Sequence, residues 1–129
     1  MKKANTVGNL TYRIATPDDI IAFYGEKPKE STRAIVFYDG DKIVAIGGIK
    51  RESGRLVAFS EIKPDARLSK MTIVRGANVV MEMIRGYKVP IWAAADHKGD
   101  ETGKLVKHYG FEHQASNQDA EIYTLWPTP

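Results

Sequence analysis

The chain of 129 residues contains no cysteine, which removes disulfides, thiolate metal sites and a cysteine nucleophile from consideration. It also lacks any apolar stretch long enough for a signal peptide or a membrane span. The first residues are basic and then polar, so they do not resemble a targeting segment. From these absences we expect no membrane partner and a cytoplasmic location.

Long runs of one charge are absent as well. Lysine and arginine total 19 against 16 acidic residues, a formal net charge of +3, and no five cations follow one another. We therefore expect no nucleic-acid partner, since solubility or a basic site for an acidic ligand explains this small excess.

Motifs for several enzyme classes are missing too. There is no Ser-His-Asp order, no Gly-x-Gly-x-x-Gly, no P-loop and no Cys/His metal spacing, which argues against hydrolases, dinucleotide enzymes and NTPases. His97 and His113 stand in polar segments and do not make a metal site.

What is present fits one globular domain, because 43% apolar and 27% charged content can bury a single core at this length. We predict one domain over residues 1–129, with residues 1–9 as a flexible N-terminal segment. Hydrophobic patterns predict strands at 10–14, 33–38, 42–49, 55–62, 89–95, 111–114 and 121–126, and helices at 17–24, about 70–85 and from 100 or 102 to 109.

The element boundaries have recognisable signals. Thr16 is an expected N-cap before Pro17, and Gly25 and Gly86 are expected to end the first and second helices. The pair Gly47-Gly48 predicts a bulge or close backbone packing in its strand.

The order of elements predicts the fold class. The strands over 33–62 form an antiparallel meander, and the strand after the long helix must pair in parallel with the last strand of that meander. We predict an α+β fold, with a mixed but mostly antiparallel sheet of six to seven strands flanked by about three helices.

Three segments in this order resemble the GNAT acyltransferase superfamily. They are YRIATPDDI at 12–20, DGDKIVAIG at 39–47 and KLVKHYGFE at 104–112, and the resemblance spans about residues 11–126. It implies a GNAT-like fold and the transfer of an acetyl group from acetyl-CoA to an amine. In that family the cofactor enters where two strands splay apart, and its pyrophosphate lies on amides at the start of the next helix.

The resemblance assigns roles to residues of this chain. The pyrophosphate donors would be Arg67, Leu68, Ser69, Lys70, Met71 and Thr72, and the Ile62 amide would be the oxyanion donor. Glu61 would be the catalytic base, although a charged residue at such a position is more often a solvent-facing strand residue. Arg67 and Lys70 either contact a bound anion or belong to a solvated helix start, and the anion would explain why cations stand where they oppose the helix dipole.

The chain departs from the family pattern at two places. Lys70 and Thr72 replace loop glycines that let a phosphate approach the backbone, so the acetyl-CoA loop looks degenerate. In the second motif Gly99 and Thr102 replace the usual asparagine and alanine, and Val106 replaces the tyrosine that commonly protonates the leaving thiolate. His108 and Tyr109 are the nearby substitutes for that acid.

Two functional hypotheses follow. The first is an N-acetyltransferase acting on an amine, and the seven-residue loop between Gly25 and Arg33 leaves the acceptor site open enough for a protein or peptide lysine. The second is a catalytically inactive GNAT-fold structural or interaction protein, such as a bacteriophage virion or host-interaction component. It would work through a homo-oligomer or a virion assembly.

Overall fold

The computed structural model describes residues 5–27, 31–96 and 100–127, with eight strands and three helices in these ranges. In chain order they are β1 (Thr6–Val7), β2 (Leu10–Ile14), α1 (Pro17–Tyr24), β3 (Thr32–Asp39), β4 (Lys42–Glu52), β5 (Arg55–Ile62), α2 (Lys70–Ile84), β6 (Ile91–Asp96), α3 (Asp100–His108), β7 (Glu112–Ser116) and β8 (Ala120–Leu125). Within these ranges no helix combines the length and the apolar content needed to cross a membrane.

All eight strands form one sheet in the order β1-β2-β3-β4-β5-β6-β8-β7. Neighbouring strands are antiparallel except β5 and β6, which are parallel. The predicted α+β class and the parallel pair are thus confirmed, with one strand more than expected. The additional strand is β1, whose two residues are too short to show an alternating pattern, and Val7 from it is buried in the core.

Helix α1 has the predicted signals at both ends. The Thr16 hydroxyl accepts from the Asp19 amide at 3.2 Å, and the Asp19 carboxylate accepts from the Thr16 amide at 2.9 Å, which together form a capping box. At the other end Gly25 is left-handed, with φ +82°, and its amide donates to the carbonyl of Ile21 at 2.6 Å.

Asp19 also ties the start of α1 to the sheet. Its Oδ1 accepts from Arg13 on β2 at 2.7 Å and from the Tyr38 hydroxyl on β3 at 2.6 Å, and Asp19 itself is buried. Burial alone would raise the pKa of Asp19. The hydrogen bonds, led by the one from Arg13, outweigh burial and hold that pKa well below its usual range.

Helix α2 packs directly on β4 on the other face of the sheet. A Cβ at Gly47 would lie 2.9 Å from Cγ2 of Val80, and one at Gly48 would lie 2.2 Å from the carbonyl oxygen of Arg33. The close packing predicted for this glycine pair is confirmed. The main core lies between the sheet, α2 and α3, and a smaller cluster lies under α1.

The end of α2 differs from the prediction. Gly86 was expected as the cap, but the cap is Arg85, which is right-handed with φ −64°. The Gly86 amide donates to Met83 at 3.2 Å and the Tyr87 amide to Ile84 at 3.1 Å. These short-range bonds satisfy the last carbonyls, so no left-handed residue is needed.

Candidate active site

Strands β5 and β6 diverge soon after they meet. The described pairs between them are Leu56 with Ile91 and Val57 with Trp92, both near the start of β5. Strand β4, by contrast, pairs with β5 along its whole length to Ile62. Beyond Val57 the β6 side of β5 therefore opens into a gap in the sheet.

A cavity of about 480 Å³ lies at this gap. Its walls are the diverging strands together with the inner faces of α2 and α3, and they are mostly apolar. The few polar side chains on the wall include Ser60, Glu61 and Thr72. An apolar cleft with a few polar groups is the usual form of a small-molecule site.

Glu61 stands at the open end of β5, opposite Ile46 of β4. Because side chains alternate along a strand, it points to the same face as Phe59, which packs in the cluster under α1. Glu61 is exposed and lines the cavity, and no described residue forms a hydrogen bond or ion pair with it. Its carboxylate is therefore available to a cationic ligand.

Tyr24, the last residue of α1, is a further candidate site residue that no sequence motif indicates. Burial, with a further contribution from the negative charge of Glu61, raises the pKa of Tyr24 to about 12. The phenol thus stays protonated at neutral pH and lies within the electrostatic reach of the candidate base. The one available signal in the sequence was an aromatic residue directly before the helix-ending Gly25.

The start of α2 lies close to the cavity. Ser69 is the N-cap, and its hydroxyl accepts from the Thr72 amide at 3.1 Å and donates to the Thr72 hydroxyl at 2.9 Å. The Thr72 amide, one of the predicted donors, is thereby already satisfied. The amides of Lys70 and Met71 donate to no described residue, as is usual in the first turn of a helix.

The predicted site residues divide into two groups. Five of them line the cavity, namely Glu61, Ile62, Leu68, Thr72 and Tyr109. The rest lie outside its lining and are exposed, namely Arg67, Ser69, Lys70, Met71 and His108. Gly99, like His97, lies outside the described residues.

Tyr109 and His108 differ in their surroundings. Tyr109 is buried, and its hydroxyl donates to Oδ1 of Asn78 on α2. This burial raises the pKa of Tyr109. The His108 ring lies edge-on to it, 5.1 Å between centroids, but on the exposed end of α3. Val106, at the position of the family tyrosine, lines the cavity.

Comparison with known proteins gives a match in structure alone. No protein-family model and no curated protein sequence matches the chain. Among solved structures, the ribosomal-protein-S18-alanine N-acetyltransferase of Escherichia coli superposes with a TM-score of 0.66 at 12% identity, over 90% of this chain and 92% of that one. The chain has the GNAT N-acetyltransferase fold.

Two further structures support this assignment of the fold. yncA of Salmonella typhimurium, solved with its cofactor acetyl-CoA, gives a TM-score of 0.68 at 12% identity, over 92% of this chain and 94% of that one. The ribosomal-protein-S5-alanine acetyltransferase of Vibrio fischeri gives 0.65 at 12% identity, over 97% of both chains. The GNAT fold expected from the three sequence segments is confirmed.

Proposed function

We propose that this protein is an acetyl-CoA-dependent N-acetyltransferase whose acceptor is a primary amine on a protein or peptide, as in a lysine side chain. The observation that carries the proposal is the cavity where β5 and β6 diverge, with Glu61 at its open end and the start of α2 close by. The acetyltransferases that share the fold support it.

The residues near this cavity fit the chemistry of the cofactor. The Lys70 and Met71 amides are free to donate to phosphate oxygens, and a helix start carries partial positive charge. Arg67 and Lys70 add two cations that form no ion pair with a described residue. When bound, acetyl-CoA would supply the activated acetyl group as a thioester.

Glu61 would prepare the acceptor. An amine enters as an ammonium ion, which is not nucleophilic until it loses a proton. The Glu61 carboxylate would bind the ammonium and take that proton, either directly or through one water molecule. The nitrogen lone pair then attacks the acetyl carbonyl, and the Ile62 amide would donate to the oxygen that gains negative charge.

Tyr109 is the proposed proton source for the departing sulfur. It lines the cavity, and burial keeps its hydroxyl protonated. Asn78 holds that hydroxyl through a hydrogen bond and so fixes its position. His108 is the weaker candidate for this role, because it is exposed and outside the cavity lining.

A thermal-shift measurement tests cofactor binding. A ligand at a hundred times its Kd stabilises the folded state by about 2.7 kcal/mol. At this chain length that corresponds to a rise in Tm of roughly 10 °C. Lys70→Glu should abolish the rise, whereas Lys88→Glu, the same charge change at an exposed position after α2, should preserve it. No shift at millimolar acetyl-CoA would leave the inactive interaction protein as the function.

A turnover assay tests the base. With a lysine-containing peptide as acceptor, Glu61→Gln should lower kcat by about 10²-fold or more while acetyl-CoA still binds. The matched control is Glu82→Gln, which makes the same change at an exposed position on α2. An unchanged kcat in Glu61→Gln would remove this residue from the mechanism.

A further inference from the structure

The partial negative charge at the C-terminal end of α1 is neutralised by a lysine from outside the helix. Its last turn contains no basic residue. The carbonyl oxygen of Phe23 instead accepts a hydrogen bond from Nζ of Lys63, which follows β5, at 2.7 Å. A cation at this end complements the helix dipole and satisfies a carbonyl that has no partner within the helix.

Lys63 is itself held in place. Its amide donates to the carbonyl of Val44 on β4 at 2.8 Å, and its side chain is partly buried. Its ammonium lies 4.3 Å from the centroid of the Phe23 ring, and Phe23 is 5% exposed. Two contacts thus fasten the end of α1 to the stretch of chain that carries Glu61.

This attachment determines where Tyr24 lies. The Tyr24 and Phe23 rings make a T-shaped contact with centroids 4.9 Å apart, and 40% of Tyr24 remains exposed. A helix of only two turns is marginal on its own, so its end needs an external contact to stay ordered. Lys63 supplies that contact two residues beyond Glu61.

We propose that Lys63 is a positioning residue that holds Tyr24 beside Glu61, and that Tyr24 and Glu61 together bind the acceptor as a primary ammonium on an aliphatic stem. The inference rests on the proposed function and adds to it the residues that select the amine.

The chemistry of this pair suits such an ammonium. An exposed aromatic face attracts a cation and packs against a methylene stem, and a carboxylate without a described partner supplies the counter-charge. The positive charge of Lys63 does not compete, because its ammonium is engaged by the Phe23 carbonyl and ring.

Steady-state kinetics with acetyl-Gly-Lys-Gly-amide as acceptor test the inference. Lys63→Met keeps the aliphatic stem and removes the ammonium, and it should raise KM for the peptide about tenfold, the loss of one cation–aromatic contact, with kcat little changed. Lys63→Arg should restore KM. Lys42→Met, which removes an exposed lysine from a surface ion pair with Asp65, is the matched control and should change neither constant.

A double-mutant cycle separates positioning from a general structural effect. Tyr24→Ala should raise KM by a similar factor, and Tyr24→Ala combined with Lys63→Met should be no worse than either alone, because Lys63 acts through Tyr24. Additive effects would overturn the positioning role. A fall in kcat with unchanged KM for Lys63→Met would overturn it as well.

A binding experiment without acetyl-CoA distinguishes this inference from the proposed function. In protein with ¹³C-labelled tyrosine rings, the Tyr24 signal is assigned by its loss in Tyr24→Phe. The peptide should shift this signal in the wild type and in Lys63→Arg, and about tenfold more peptide should be needed in Lys63→Met. Turnover without a Tyr24 shift would overturn the inference alone. A shift without turnover would support the amine site and contradict the transferase.

Discussion

Asp19→Asn is expected to destabilise the protein by about 2 kcal/mol, the value for losing one hydrogen bond together with the charge that strengthens the others. In the wild type, one carboxylate oxygen accepts from Arg13 and Tyr38 and the other from the Thr16 amide. An asparagine can keep the first oxygen, but its NH₂ group then faces the Thr16 amide, and two donors cannot pair.

The matched control is Asp18→Asn, one residue earlier in the same helix. Asp18 is exposed, so Asp18→Asn removes the same negative charge without breaking a buried hydrogen bond. The stability lost should be only that of the interaction with the helix dipole, about 0.3–1 kcal/mol. Urea unfolding of both variants at pH 7 measures the difference in their free energies of unfolding, with one shared value for the dependence of that energy on urea concentration. Equal losses of stability in the two variants would refute the role of the hydrogen bonds that Asp19 accepts.

The pH dependence gives a second test of the same carboxylate. The folded-state pKa of Asp19 lies below its value of about 3.9 in unfolded chains. Its contribution to stability is therefore fully present above about pH 4 and is lost as the pH falls from there toward the folded pKa. The stability gap between wild type and Asp19→Asn should narrow in acid by at most about 1.4 kcal/mol per pH unit. A gap that widens in acid would contradict the account.

Three further predictions concern the scaffold. Gly48→Ala should lower the free energy of unfolding by more than about 3 kcal/mol, because the new methyl group meets the Arg33 backbone. Gly47→Ala should lower it by only about 1 kcal/mol, because the Val80 side chain can move aside. Thermal unfolding gives the order of the two variants, and the reverse order would contradict this packing. The hydroxyl of Thr124 is fully buried with no hydrogen-bond partner among the described residues, so Thr124→Val should be neutral or stabilising in urea unfolding, and a clear loss would reveal a missed partner. Ser69→Ala should lower the free energy of unfolding by about 1 kcal/mol, because it removes the N-cap of α2. Unchanged stability in urea unfolding would show that Ser69 does not cap the helix.

The elements that the sequence predicts well are those with strong local signals. Thr16, Pro17 and Gly25 delimit α1 because capping and helix termination depend on neighbouring residues. The turns at Gly40 and Gly54, both left-handed, set the register of the meander in the same way. Local chemistry was insufficient at the end of α2, where either Arg85 or Gly86 could close the helix.

The parts of the site that the sequence does not predict depend on distant contacts. Lys63 and Phe23 are 40 residues apart, and no periodic pattern links them. The divergence of β5 from β6 depends on how the helices pack against the sheet, so it was implied by the family resemblance and not by any pattern in the residues. Glu61 could be proposed from the family resemblance, but its neighbour Tyr24 follows only from the position of α1.

We propose that the start of α2, without the glycines usual in GNAT enzymes, binds the diphosphate of acetyl-CoA beside the open cavity. Isothermal titration of acetyl-CoA into the wild type and into Lys70→Glu tests it most directly. We expect saturable one-to-one binding at micromolar concentrations for the wild type and a large loss of affinity for the variant. Absence of binding heat at millimolar acetyl-CoA, or equal affinity in both proteins, would contradict it.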